Sequence, residues 1–167
     1  MELPITAPPL VPREAPTPTA GVPLRGKTIL VVDDEPAVTD LLSDILALDG
    51  HRVETAPTAM VALTKIHDRA YDVILSDLRM PGLDGPGLYR EVVRRHPDLG
   101  RRFAFITGDS LAQATREFLA EAGVPSLGKP FTLEEVRRVV AQALGADGAT
   151  AEPGSLADRT PARSPAP

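Results

Sequence analysis

Between residues 27 and 144 the chain alternates two kinds of pattern. Short apolar, β-branched runs fall at Thr28 to Val32, Arg52 to Thr55, Asp72 to Leu75, Arg102 to Ile106 and Val124 to Leu127, each bounded by turn or polar residues, and each is read as a strand. The stretches between them have helical spacing. The first places Val38, Leu41, Leu42, Ile45 and Leu46 on one face and stops at Asp49-Gly50. Others cover about Thr58 to His67, Pro86 to Arg95, Leu111 to Ala122 and Leu133 to Leu144. Strict β-α alternation with short connections predicts a (βα)5 unit, a five-stranded parallel sheet covered by helices on both faces. The first and third runs are continuously apolar, as central strands require, and the more polar second run fits an edge.

Composition marks where that pattern ends. Of 18 prolines, seven lie in residues 1–24 and four in residues 145–167. Both ends are too poor in large apolar side chains to offset their own ordering entropy. The expected organisation is a proline-rich tail over 1–26, one folded domain over 27–144 and a second tail over 145–167. The chain has no cysteine, so any metal must be held by oxygen or imidazole, and thiolate chemistry is excluded. The net charge of −5 gives no reason to expect a nucleic-acid partner. No apolar run approaches the roughly 18 residues of a membrane span, and no signal-peptide pattern opens the chain, so the expected location is cytoplasmic.

In open parallel sheets ligands bind beyond the carboxyl ends of the strands. Those ends carry Asp33-Asp34-Glu35 after the first strand, Ser76-Asp77 after the third, Thr107-Gly108-Asp109 after the fourth and Gly128-Lys129-Pro130 after the fifth. Converging carboxylates repel unless a cation neutralises them, and oxygen ligands at a shallow rim suit magnesium. No glycine-rich nucleotide cradle follows any strand, so a phosphoryl group would arrive on another carrier. Asp77, ending a central strand, is placed to take it as an acyl phosphate.

Four segments carry a family resemblance: Lys27 to Glu35, Asp72 to Gly85, Ile106-Thr107-Gly108 and Lys129-Pro130-Phe131. In this order they resemble the response-regulator receiver domain of two-component signalling. The resemblance implies a flavodoxin-like three-layer sandwich with strand order 2-1-3-4-5. It implies that Asp77 accepts the phosphoryl group and that Asp34 and Asp77 ligate magnesium, with Asp33 acting through a metal-bound water and the Arg79 carbonyl completing the set. Thr107 and Lys129 would each contact a phosphoryl oxygen, and Lys129-Pro130 would be a cis peptide that aims the lysine inward. The implied partner is a histidine kinase or histidine phosphotransfer protein, with a downstream protein on the fourth and fifth helix face. The domain would be no enzyme on its own beyond its self-catalysed transfer and hydrolysis at Asp77.

Simpler uses of the same residues point elsewhere. Asp33-Asp34 could cap a helix. Met80-Pro81-Gly82 and Asp84-Gly85 read as turn chemistry leading into the third helix. His51, His67 and His96 have no ligand spacing and are expected at the surface. The basic stretch Arg90 to Arg102 reads as a solvated face, with Glu91 and Arg95 spaced for an ion pair.

Two departures qualify the resemblance, a missing aromatic residue and a missing output domain. Ser126 stands where many receivers carry an aromatic residue three positions before the lysine, so output would be read from helix and loop shifts or the phosphoryl group merely passed on. Arg79 and Asp109 have opposite charges and could pair across the pocket mouth, which would slow hydrolysis. No DNA-binding pattern follows residue 144. Glu2-Leu3-Pro4-Ile5 resembles the last strand of a kinase ATP-binding domain, which would make this the C-terminal receiver of a hybrid histidine kinase. The alternative is a stand-alone single-domain regulator that acts by phosphorylation-dependent protein binding.

Overall fold

A computed structural model of the chain describes residues 25–108 and 112–145. The strands are β1 (Thr28–Val32), β2 (Arg52–Ala56), β3 (Val73–Asp77), β4 (Phe103–Thr107) and β5 (Ser126–Gly128). The helices are α1 (Pro36–Leu48), α2 (Ala59–Asp68), α3 (Gly85–Arg95), α4 (Gln113–Ala122) and α5 (Leu133–Gly145). All strand pairs are parallel and the order is β2-β1-β3-β4-β5, as the resemblance implied. The polar β2 is indeed an edge.

Alternation along the strands divides the core in two. Ile29, Val31, Val73 and Leu75 pack with α1 and α5, while Leu30, Val32 and Ile74 face the side of α2 and α3. A strand buried on both sides must be apolar at successive positions, and β3 and β4 are buried at every residue.

Local chemistry sets the helix ends. The Thr58 hydroxyl accepts the Val61 N–H, and Asp84 Oδ1 accepts the Gly87 N–H at 2.8 Å, so the Asp84-Gly85 turn does start α3. Ahead of α5, Thr132 and Glu135 exchange hydrogen bonds in a capping box: the Thr132 N–H donates to Glu135 Oε2 at 2.7 Å and the Glu135 N–H donates to the Thr132 hydroxyl at 3.3 Å. α4 stops at Gly123, whose φ of 63° lies in the left-handed region.

The structure corrects several boundaries. β3 begins at Val73 and runs on through Ser76 to Asp77. Asp72 stays outside it, its carboxylate accepting the Thr28 N–H at 2.8 Å. β5 is shorter than expected, and α4 starts at Gln113. A 3₁₀ turn, Pro97–Arg102, was not anticipated and interrupts the basic stretch. Within that stretch Arg94 and Arg95 both reach Glu91, at 2.7 and 2.6 Å, and Arg102 lies 3.9 Å from Asp72, which supports the solvated reading. His67 and His96 are exposed, but His51 is half-buried, and burial lowers its pKa against the opposing pull of Asp49 and Asp72. Residues 2–5, the two tails and Asp109 lie outside the described residues or at their margin.

Candidate functional site

The carboxyl ends of β1, β3, β4 and β5 meet at one open cleft of about 380 Å³, lined among others by Asp34, Asp77, Arg79, Thr107 and Lys129. β1 is followed directly by the acidic pair. Asp33 is buried, and its Oδ1 accepts the Glu35 N–H at 2.9 Å, which fixes the turn into α1. Its Oδ2 is buried, accepts no hydrogen bond, and faces the Lys129 ammonium at 3.2 Å. The pair is therefore not a helix cap. Glu35 holds the N-cap position of α1 instead, and its side chain makes no capping bond.

Asp77 ends β3 with 5% of its surface exposed. The chain then leaves through Leu78, whose N–H donates to the Ile106 carbonyl at 3.0 Å and whose carbonyl accepts the Gly85 N–H at 3.1 Å. Gly85 is required there: a Cβ on it would lie 2.3 Å from the Asp77 carbonyl oxygen and 2.9 Å from Leu78 Cα. The glycine lets α3 start directly against the backbone of Asp77.

Thr107 is buried at the end of β4, and its carbonyl accepts the Lys129 N–H at 2.8 Å, so β4 and β5 register the threonine and the lysine against each other. The Lys129–Pro130 peptide is cis. Lys129 Nζ lies 3.2 Å from Asp33, 3.3 Å from Glu35 and 3.7 Å from Asp77.

The carboxylates of Asp33, Asp34 and Asp77 each offer an oxygen, and these atoms lie within 4.8 Å of one another. Burial, and next the charge of Asp33, push the Asp77 carboxyl up to about 6, while Lys129 pulls the other way. Burial also works against the Lys129 ammonium, but Asp33 and Asp77 outweigh it and raise its pKa above the ordinary lysine value. One ammonium thus balances three converging carboxylates incompletely. Three carboxylate oxygens within 4.8 Å of one another and the raised pKa of Asp77 fit a hard divalent cation bound by oxygen.

Of the expected site residues Asp34, Asp77, Arg79, Thr107 and Lys129 line the cleft, and Asp33 lies behind them with a carboxylate oxygen within 4.8 Å of those of Asp34 and Asp77. Asp33, Asp77 and Thr107 are buried, Lys129 is half-buried, and Asp34 and Arg79 are exposed. The proposed Arg79 to Asp109 pairing involves a residue outside the described ones. Sequence reasoning set Glu35 at the rim and Gly85 in a turn without foreseeing the contact of the first with the lysine or the closeness of the second to Asp77, and it missed Thr115 of α4 in the cleft wall. The Glu35 contact joins residues 94 apart in sequence, which no local pattern reports. Nothing local marks Thr115.

An open parallel sheet with an acidic rim at its switch point defines the class of protein. The response regulator receiver domain model matches residues 29–141, and the chain belongs to that family. It is 34% identical over 121 residues to sensor kinase CckA of Brucella abortus, covering 70% of this chain and 12% of that protein. It is 31% identical over 130 residues to response regulator protein FleR of Pseudomonas aeruginosa, covering 77% of this chain and 27% of that one. Among solved structures it resembles the Vibrio cholerae chemotaxis protein CheY4 with a TM-score of 0.65 and 26% identity over 71% of this chain and 99% of the other. The first curated relatives are thus far longer than the matched region. The chain is a receiver domain of two-component signalling.

Proposed function

We propose that Asp77 is the phosphoacceptor, and that the donor is a phosphohistidine on a histidine kinase or a histidine phosphotransfer protein. The observation that carries this is the convergence of Asp33, Asp34, Asp77 and Lys129 at the switch-point rim. In the transfer an Asp77 carboxylate oxygen attacks phosphorus, the new O–P bond forms as the N–P bond of the donor breaks, and the released ring nitrogen keeps the electron pair. Lys129 and the Thr107 hydroxyl contact phosphoryl oxygens and stabilise their charge. Asp34 and Asp77, with the Arg79 carbonyl and with Asp33 through water, would hold magnesium. Bound there, the metal supplies charge neutralisation for the attacking carboxylate and the phosphoryl oxygens. Water returns the aspartate, so acceptance and loss are both self-catalysed.

The receiver of a hybrid kinase is the reading favoured here, since the first relatives are sensor kinases. A stand-alone regulator is the second, supported by the near-complete coverage of CheY4, with a downstream protein docking on the α4 and α5 face. No helix among the described residues is long and apolar enough to cross a membrane; the cytoplasm is the proposed site of action.

The test is intact mass after incubation with acetyl phosphate and magnesium. Wild type should gain one phosphoryl group, about 80 Da, and Asp77→Ala should gain none. A gain that survives in the variant would move the phosphoacceptor elsewhere.

A further inference from the structure

Glu35 stands where a helix wants a different residue. Serine, threonine, aspartate and asparagine are favoured at an N-cap because their short side chains reach back to the helix N–H groups. Glutamate is too long for that, and here its side chain makes no capping bond. The turn is already fixed by Asp33 through the Glu35 N–H. Nor does Glu35 belong to the group of three aspartates whose oxygens converge. What its carboxylate does is reach across to β5, where Oε1 lies 3.3 Å from Lys129 Nζ, 94 residues away in sequence.

That contact bears on where the ammonium stands. Lys129 Nζ is nearer to Asp33 and Glu35, at 3.2 and 3.3 Å, than to Asp77 at 3.7 Å. Both nearer partners lie in the residues that follow β1. A phosphoryl group on Asp77 would require the ammonium on the β3 side. We propose that Glu35 is a positioning residue for Lys129: it holds the ammonium toward β1 in the unphosphorylated protein and slows phosphoryl acceptance until a donor draws the lysine away. This rests on the reading of Asp77 as phosphoacceptor.

The chemistry of the hold suits a brake. The Glu35 side chain is 63% exposed, and ion pairs at that exposure are weak and easily exchanged. A phosphoryl group brings nearly two negative charges and outcompetes a single carboxylate. The effect is therefore a modest change in rate, and the acceptor chemistry itself is left intact.

The experiment compares wild type, Glu35→Gln and Glu35→Asp in two assays. Phosphorylation by acetyl phosphate with magnesium is followed by intact mass, and Lys129 is labelled in metal-free buffer with an amine-acylating reagent and quantified by peptide mass. Glu35→Asp keeps the charge and loses the reach, which separates a held ammonium from plain repulsion of an anionic donor. Both variants should accept the phosphoryl group about two- to fivefold faster, the scale of an exposed ion pair, and Lys129 should label faster in both by a similar factor. Their thermal midpoints should fall by no more than a few degrees, about the loss of one exposed ion pair, since the side chain caps nothing. Rates equal to or below wild type in both variants, or a fast Glu35→Gln beside an unchanged Glu35→Asp, overturn the proposal. Faster labelling in proteins that take no phosphoryl group, wild type included, would keep the Glu35 hold on Lys129 and remove the phosphoacceptor reading instead.

Discussion

The buried hydrophobic cluster beneath helices α1 and α5 is all aliphatic, whereas the opposite face is built around rings. On that second side Phe103 and Phe105 of β4 are fully buried and touch Tyr89 of α3, with ring centroids 5.3 and 5.8 Å apart. Phe118 of α4 joins the group at 5.2 Å from Phe105, and the Arg90 guanidinium lies 5.9 Å from its ring centroid. The difference shows most in the last two helices. α5 buries Val136, Val139, Val140 and Ala143, while α4 buries no residue fully and is held through half-buried Phe118 and Leu119. Interdigitated aliphatic packing has one low-energy arrangement, so α5 is part of the frame. A helix attached by the edge of an aromatic group can shift at much smaller cost. That helix also presents Thr115 to the cleft, so the described helix that buries no residue fully touches the site directly.

The sharpest way to break the contrast is in the aliphatic layer. Leu42→Ala, at a position with no exposed surface, should cost about 3 kcal/mol, read as a lower denaturant midpoint, and should weaken the whole fold together. Phe118→Ala should cost less, about 1–2 kcal/mol. Its signature should be local: faster hydrogen exchange in α4 with α5 unchanged, read by peptide-resolved mass spectrometry. Equal loss of protection in both helices would show that α4 is frame after all.

The smallest effect concerns the one buried phenol of the second face. The Tyr71 hydroxyl donates to Glu54 Oε2 at 2.9 Å, and Glu54 also binds Lys65 at 3.3 Å and Arg69. The Tyr71 bond and the two cations hold the Glu54 pKa below the ordinary carboxylate value against the pull of burial. Burial, then Glu54, pushes Tyr71 up to about 12. A depressed carboxylate stabilises the fold above its ordinary pKa and loses that contribution as pH falls through the folded value. A raised phenol stabilises below its ordinary pKa of about 10 and loses the contribution as pH rises toward 12. Glu54→Gln should therefore cost about 1 kcal/mol near neutrality and little in acid, measured as paired urea curves across pH. A penalty that stays constant into acid would assign the effect to packing.

How much of this was legible in the sequence depended on whether neighbours in the chain or neighbours in space decide. β1 and the edge character of β2 could be read because apolar content reports burial directly. β3 was ended too early because Ser76 and Asp77 are polar residues in a strand buried at every position. Local pattern fails there for a chemical reason: the site needs a carboxylate where packing alone would choose an aliphatic residue. The Pro97–Arg102 turn was missed because it offers little apolar periodicity, only Leu99 being large and partly buried. Asp33, Asp34, Asp77, Thr107 and Lys129 were readable because each follows or ends a strand, and parallel topology gathers strand ends. Gly85 and Thr115 were not, since their importance comes from the approach of α3 to the Asp77 backbone and of α4 to the cleft, and no sequence spacing encodes either approach.

The pair that ties α1 to α5 has a consequence for attachment. Arg137 Nε lies 2.7 Å from Asp49 Oδ2, which fastens α5 beside the end of α1, and the Gly26 N–H donates to the Gly50 carbonyl at 2.9 Å nearby. Both anchors sit where the strands begin, at the pole opposite Asp77. Arg25 and Gly145, the ends of the described residues, therefore both belong to the side of the sheet away from Asp77. A segment leaving from there starts a full strand length away from the acidic rim, so it meets the cleft only if it is long enough to turn back along the sheet.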